Sequence, residues 1–372
     1  MKKSLIALAA LGAFAGAASA QSSVTLFGIV DTGIRAVRNG DSGTTKSLTN
    51  DGLSASRLGF RGEEDLGGGL KAGFWIEGLV GIDSGAGGFG PVANGNGGNT
   101  PFKQWNRRTT ISLIGPFGEV RLGRDYLPTF SNLAAFDSYG AVGLGNILNL
   151  VGSAAANYPT GTLGSGGNII RADNSVAYFL PANLGGLYGT VMGAAGENTI
   201  QQNGNNRYVG GRIGYAAGPF DVAAAYGRTR IVGNDDLRVW NLGGSFNFGV
   251  AKLSALYHRG EYTPTGLAQI SQRLWAIGAN VPLGQGEFRA TYQRSDVGGG
   301  IAANVGLRNE DDARQYAVGY IYNLSKRTAL YTDVSRLQNR GGSLLAIPGG
   351  TGVGFSGGQN STAFALGVRH AF

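Results

Sequence analysis

Residues 364–372 read FALGVRHAF. Phe364, Leu366, Val368, His370 and Phe372 share one face of an extended strand, and Ala365, Gly367, Arg369 and Ala371 share the other, because successive side chains of a strand point to opposite sides. One face is apolar and aromatic, the other is small or cationic, and the chain stops on an aromatic. A soluble sheet also alternates, but it turns its apolar side to a core. The question is whether the rest of the chain supplies one.

It supplies very little. Of 372 residues 67 are Gly, and apolar residues are spread as alternating singles over almost the whole length. Beyond the N-terminus no stretch holds the roughly 18 apolar residues that a transmembrane helix needs. The pattern is that of an all-β, antiparallel transmembrane barrel, with lipid outside and water inside. No linker or change of composition divides the chain, so one large barrel is expected over residues 21–372.

The first twenty residues set the compartment. MKKSLIALAALGAFAGAASA carries Lys2 and Lys3, an apolar run from Leu5, and Ala18, Ser19 and Ala20. This is a charged n-region, an h-region and a small-residue cleavage site, so residues 1–20 read as a signal peptide. The chain has no cysteine, which excludes disulfides, thiolate metal sites and Cys nucleophiles.

Sixteen strand-like segments are read, at about 23–37, 54–65, 69–83, 106–115, 118–126, 173–181, 187–197, 206–217, 220–231, 237–248, 250–262, 272–282, 286–297, 313–323, 327–338 and 361–372. Connections after even-numbered segments are tight and rich in Gly, Pro, Asn and Ser, as turns require. Those after odd-numbered segments are mostly longer, as at 38–53, 84–105, 298–312 and 339–360. Periplasmic turns and extracellular loops alternate in this way. One connection, about 126–172, is out of scale, and loops of that length are usually functional. Its Leu127, Phe130, Leu133, Phe136, Leu144, Ile147, Leu148, Leu150 and Val151 predict that it folds back into the lumen and narrows it.

With these segments in place, the chain resembles the Gram-negative general porins, especially the betaproteobacterial, anion-preferring type. The matching stretches are SSVTLFGIVD (22–31), SRLGFRGEEDLGGGLKAGFW (56–75), RRTTISL with FGEVRLGRDYLPT (107–129), NFGVAKLS (247–254), YNLSKRTALY (322–331) and LGVRHAF (366–372). The resemblance implies a sixteen-stranded barrel in the outer membrane, crossed many times by one chain. It implies three chains per assembly, each with a pore constricted by its third loop. The expected surroundings are outer-membrane lipid and lipopolysaccharide, with small anions and hydrophilic solutes as permeants. It also implies that the last strand, with Phe372 as assembly signal, is read by the barrel assembly machinery.

Strand parity locates the chemistry. Leu58 and Phe60 facing lipid put Arg57, Arg61 and Glu63 inside; Ile111 and Leu113 put Arg108, Thr110 and Ser112 inside; Val120 and Leu122 put Glu119 and Arg121 inside. Arg107 sits at the end of its strand and turns either way, and Arg289 and Lys252 read as inward. A charge facing hydrocarbon costs about 2–4 kcal/mol at the midplane, so these cations face water. An arginine-lined pore favours anions, and the weakly hydrated guanidinium stays charged throughout. In the resembling family the first Arg of SRLGFRG and the RR pair line the constriction, which here are Arg57, Arg107 and Arg108. Acidic residues near the third loop are few: Asp125, Asp137 and Asp173. Asp125 and Asp137 are candidates for the constriction, with an internal loop acceptor as the other reading of Asp137. No arginine lies between Arg124 and Arg171, although some anion-selective relatives place one in the loop.

Other chemistry finds no footing. His258 and His370 have no partner at metal-ligand spacing, and Gly-rich runs such as 164–167 lack the strand–loop–helix context of a phosphate cradle. A barrel enzyme needs an outward Ser–His pair, and His370 has no outward Ser beside it. The cations alternate over strands rather than cluster as in nucleic-acid binders. No cofactor, metal, nucleic acid or catalysis is expected.

Overall fold

The structure, a computed structural model, describes residues 23–87, 104–151, 167–196, 207–230, 236–262, 269–299 and 312–372. The expected signal peptide lies outside them. A single closed sheet of seventeen strands, all antiparallel, is formed among these residues. The first seven are β1 (Ser23–Asn39), β2 (Thr44–Asn50), β3 (Arg57–Gly67), β4 (Leu70–Leu79), β5 (Arg108–Gly115), β6 (Gly118–Tyr126) and β7 (Arg171–Phe179). Then follow β8 (Leu187–Ala194), β9 (Tyr208–Ala217), β10 (Phe220–Arg230), β11 (Asp236–Asn247) and β12 (Lys252–Tyr262). The last are β13 (Ile270–Leu283), β14 (Gly286–Gly299), β15 (Ala313–Asn323), β16 (Thr328–Asn339) and β17 (Ser361–Ala371).

Seventeen segments make sixteen staves. The upper part of β1 pairs with β2 and its lower part with β3, on the same side. Thr32 faces Asn50 and Ile29 faces Arg57, so residues 51–56 leave the ladder and bow into the lumen. The long first loop expected at 38–53 is therefore corrected: it is a tight turn followed by half a strand. The segment TTKSLTN hides this strand because its outward side carries Thr44, Lys46 and a single apolar residue, Leu48. Asp31 holds the break open. Its buried carboxylate accepts N–H bonds from Gly52 (3.2 Å), Leu53 (2.8 Å) and Ser54 (2.6 Å), and the Tyr331 hydroxyl at 2.7 Å.

Closure is made by the stretch that ends the chain. β17 pairs with β1 from Ser361 opposite Asn39 to Ala371 opposite Ile29. Phe372 then donates to the Gly28 carbonyl at 3.0 Å, and Gly28 donates back at 3.1 Å. The Phe372 ring lies over Gly28, where a Cβ would stand 2.4 Å from the ring. Phe364, Leu366 and Val368 are exposed, whereas Ala363 and Ala365 are buried, as the alternation requires. The same alternation runs around the wall, with Val24, Ile34, Ile111, Val191, Ile213, Tyr226 and Trp240 outward. At the periplasmic ends Gly218 and Gly249 turn the chain at positive φ, which glycine adopts without strain.

The apolar core lies inside the barrel, between its wall and the third loop. This loop carries α1 (Pro128–Phe136), α2 (Leu148–Val151) and α3 (Gly167–Ile170). Proline opens α1, where its missing N–H is no loss. Leu133, Phe136, Leu144, Ile147 and Leu150 pack on Ala223, Leu256, Leu274 and Ala276 of the wall. Inward side chains then bind the loop backbone: Gln272 to the Leu150 carbonyl (2.8 Å), Gln293 to Gly145 (2.9 Å) and Gln315 to Leu144 (3.1 Å). The loop is thereby strapped to one half of the wall. The last long loop also turns inward, with Leu345 and Ile347 fully buried in the same cluster.

Hydrogen bonds to a charged group contribute about 1.5–3 kcal/mol each, and Asp31 accepts four. Asp31→Ala should lower the stability of the refolded barrel by roughly 3 kcal/mol or more, read by urea unfolding in vesicles. An unchanged midpoint would show that the break in the second stave does not need this carboxylate.

Candidate functional site

With the third loop bound to the wall of β9–β15, the open passage runs along β3–β8. Inward parity on these strands brings the arginines together. Cross-strand partners place Arg61 opposite Trp75, Trp75 opposite Thr110, Glu77 opposite Arg108, and Ser112 opposite Arg121. Three cavities follow one another down this wall. The outer one, about 760 Å³, includes Arg35, Asp51, Arg107, Tyr126, Ser131 and Arg171. The middle one, about 510 Å³, includes Arg57, Glu77, Arg107, Arg108, Arg121, Asp125, Tyr188 and Arg212. The inner one, about 370 Å³, includes Arg61, Glu63, Arg108, Glu119 and Arg121. Arg107 and Tyr126 line both outer and middle cavities; Trp75, Arg108 and Arg121 line both middle and inner ones. Eight arginines thus meet five carboxylates along one path.

The cations are held in two ways. Arg107 is buried and bound to Glu77, and it donates to the Tyr126 hydroxyl at 3.0 Å. Arg121 reaches both Glu119 oxygens (2.8 and 2.9 Å) and Asp125 (2.5 Å), and lies 4.1 Å over the Phe179 ring. These two are neutralised by direct contact. Arg57 stands 4.0 Å from Glu77, and Arg108 stands 3.9 Å from Asp125 while resting 4.6 Å over Trp75. Arg61 is exposed and stacks between Phe27 and Trp75 at 5.4 and 5.2 Å. An aromatic face holds a guanidinium without cancelling its charge, so Arg61 and Arg108 keep more of their field than Arg107 and Arg121.

The inward arginines read from parity on β3, β5 and β6 stand on this wall, and Arg107 turns inward. Arg289 is inward as well, but buried against Asp333 (2.7 Å) and the Tyr139 ring (3.9 Å), away from the passage. Asp125 lies between Arg108 and Arg121. Asp137 is turned into its own loop, where it accepts N–H bonds from Tyr139 (3.2 Å), Ala141 (2.9 Å) and Ile147 (3.1 Å). Burial raises its carboxyl above the ordinary aspartate range, against the pull of those N–H donors and of Arg289.

Sequence reasoning missed three lining arginines. Arg171 donates to the Tyr126 hydroxyl at 2.7 Å and stacks on its ring at 4.2 Å. Arg212 reaches Asn132 of the loop (2.8 Å) and the Tyr188 hydroxyl (3.1 Å). Arg35 donates to the Pro348 carbonyl at 3.3 Å. Alternation marks Arg35 and Arg212 as inward, but only the course of the loops decides which inward arginines the passage retains. No group of three or more His, Cys, Asp or Glu fit to hold a metal occurs among the described residues.

Comparison with known proteins agrees with this architecture. The model of the Gram-negative porin family matches residues 7–342. The chain belongs to the Gram-negative porin family. This porin is 40% identical over 381 residues to outer membrane porin protein 32 of Delftia acidovorans, with all of both chains covered. A major outer membrane protein P.IB of Neisseria meningitidis is 29% identical, with 95% of this chain and 99% of that one covered. Among solved structures, the anion-selective porin from Comamonas acidovorans superposes with a TM-score of 0.79 at 36% identity, covering 95% of this porin and all of that chain. OmpT of Vibrio cholerae, in a trimer form, has a TM-score of 0.64 at 14% identity over 94% of this porin and 99% of its own chain, and shows the fold alone. The porin is a multi-pass protein of the Gram-negative outer membrane, and its family and fold are those of channel proteins.

The loop's own acceptor makes a checkable point. Asp137→Ala removes three N–H contacts and should loosen the third loop, raising open-channel noise and single-channel conductance in planar bilayers. Traces identical to the parent's would show that Asp137 does not hold the loop.

Proposed function

We propose that this porin is a passive diffusion channel for ions and small hydrophilic solutes, and that its arginine wall makes it prefer anions. The observation that carries the reading is the surplus of guanidinium groups along a path whose opposite side, the third loop, brings a single carboxylate between Tyr126 and Ile170, Asp137, which is bound to the loop's own backbone. Arg107 and Arg171 stand at the entrance, Arg57 and Arg108 at the middle, and Arg61 and Arg121 toward the periplasm. An anion moving inward exchanges one guanidinium for the next. Conduction needs sites strong enough to admit an ion and weak enough to release it, and the carboxylates of Glu77, Glu119 and Asp125 temper the field. Low-dielectric walls focus what remains at the narrow point. The relative from Comamonas acidovorans is described as anion-selective, which supports the same preference here.

The proposal extends to assembly. Residues 1–20 act as a leader, Phe372 closes the barrel and marks it for the assembly machinery, and three chains associate as in the trimer form of OmpT.

Reversal potentials in planar bilayers under a potassium chloride gradient test the selectivity. The parent should favour chloride. Replacing Arg57 and Arg108 with Ser removes two charges; at an assumed separation of about 8 Å and an effective dielectric of about 20–80, an anion loses about 1–4 kcal/mol. The chloride-to-potassium permeability ratio should therefore fall by roughly fivefold or more. Cation preference in the parent, or an unchanged ratio in the variant, would sink the assignment. Glu77→Gln should act in the opposite sense, because it releases the Arg107 guanidinium and raises the ratio.

A further inference from the structure

The lumen accounts for the inward arginines, but the outer face carries a second set. Arg228 stands directly opposite Arg238, Arg259 opposite Arg273, and Arg294 opposite Arg314. These are three like-charged pairs across three successive hairpins, β10–β11, β12–β13 and β14–β15. No other Arg–Arg pair occurs in the registers of the described strands. Each pair shares the outward side with exposed Tyr226, Trp240, Ile277 or Tyr316, and each sits at the end of its hairpin away from the periplasmic turns. Like charges placed directly opposite destabilise a sheet, so the repeat calls for a counter-charge from outside.

The described residues supply only part of it. In each pair one arginine is bound by a carboxylate: Arg228 by Asp236, Arg259 by Glu261 at 2.6 Å, and Arg294 by Asp296 at 2.6 Å and Asp312 at 3.7 Å. Glu261 and Asp296 lie opposite Arg238 and Arg273 in register, yet their shortest contacts are to the arginine on their own strand. Arg238, Arg273 and Arg314 form no ion pair among the described residues. The buried Nε of Arg259 also has no hydrogen-bond partner.

Two further features sit on the same sector. Trp240 and Trp275 are directly opposite Arg259 and Arg294, and such rings mark the membrane–water interface. Below them an apolar hollow of about 860 Å³ crosses β10–β15 on the outer face. Val222, Gly244, Ala255, Ile277, Tyr292 and Tyr316 form one continuous cross-strand row in it. The small Gly244 and Ala255 between larger neighbours make the depression.

From this geometry we infer that β10–β15 form a binding site for a phosphorylated lipid of the outer leaflet. The phosphates lie on Arg238, Arg273 and Arg314, and the acyl chains lie in the hollow beneath. A guanidinium fork matches phosphate geometry. Neighbouring pairs are two strands apart and offset by two residues along the strand, about 12 Å, which suits a headgroup with more than one phosphate. The site is on the outside of the barrel and is independent of the selectivity of the lumen.

The test uses full-length protein purified in detergent and fluorescent lipid A, followed by anisotropy. Three ligand arms are compared: bisphosphorylated lipid A, the same lipid with its phosphates removed, and inorganic phosphate as competitor. Bisphosphorylated lipid should bind saturably, the dephosphorylated form much more weakly, and inorganic phosphate should not displace it at equal concentration. Substituting Arg238, Arg273 and Arg314 together by Gln should weaken binding roughly tenfold or more while the conductance stays that of the parent. Ala255→Phe, which fills the hollow and leaves every arginine in place, should weaken it in the same direction. Equal binding of phosphate-free lipid, full displacement by inorganic phosphate, or parent-like affinity in either variant would overturn the site.

Discussion

In hydrocarbon, a backbone N–H or C=O has no water to bond, so every one must find a partner within the protein. That constraint is met here by closure. The eleven-residue register between β1 and β17, and the exchange between Phe372 and Gly28 beyond it, leave the sheet without an edge. Everything else in the molecule depends on this. Once the sheet is closed, each side chain has one of two environments, and alternation assigns it. Arg57, Arg108 and Arg121 become lumen-facing groups for the same reason that Ile111 and Leu122 become lipid-facing ones.

Closure leaves a lumen that must be shaped, and the chain shapes it with segments that leave the ladder. Residues 51–56 bow inward because Asp31 satisfies three of their N–H groups. The third loop turns in because its apolar residues find a dry surface on the inward alanines and leucines of β10–β13, and because glutamines of β13–β15 satisfy its carbonyls. The final loop adds Leu345 and Ile347 to the same cluster. The result is a passage bounded on one side by a packed loop and on the other by guanidinium groups that aromatic rings and carboxylates hold in place.

Much of this is legible in the residues. The strand series, its alternating connections and the inward set on β3, β5 and β6 follow from period-two patterning, which needs no knowledge of long-range contacts. The errors have a common cause. TTKSLTN is polar enough to pass for loop, and its status as half a stave depends on Asp31 and Tyr331, one 13 residues before Thr44 and the other nearly three hundred after it. Arg171 and Arg212 join the path only because Tyr126 and Asn132 come to them on the third loop. Asp137 shows the converse: a carboxylate in the third loop that spends its acceptors on that loop's own backbone.

By itself, the sequence determined the kind of solvent on each side of the wall, because alternation in a strand is a local property carried by adjacent residues. From FALGVRHAF outward it marked a closed barrel, a lipid face and an arginine-bearing interior. Only the tertiary structure decided which inward arginines share one path, how tightly each is neutralised, and where like charges face each other across neighbouring strands on the outer side. Those depend on register and on loop packing, which join residues far apart in the chain, and no local pattern encodes the distance between them.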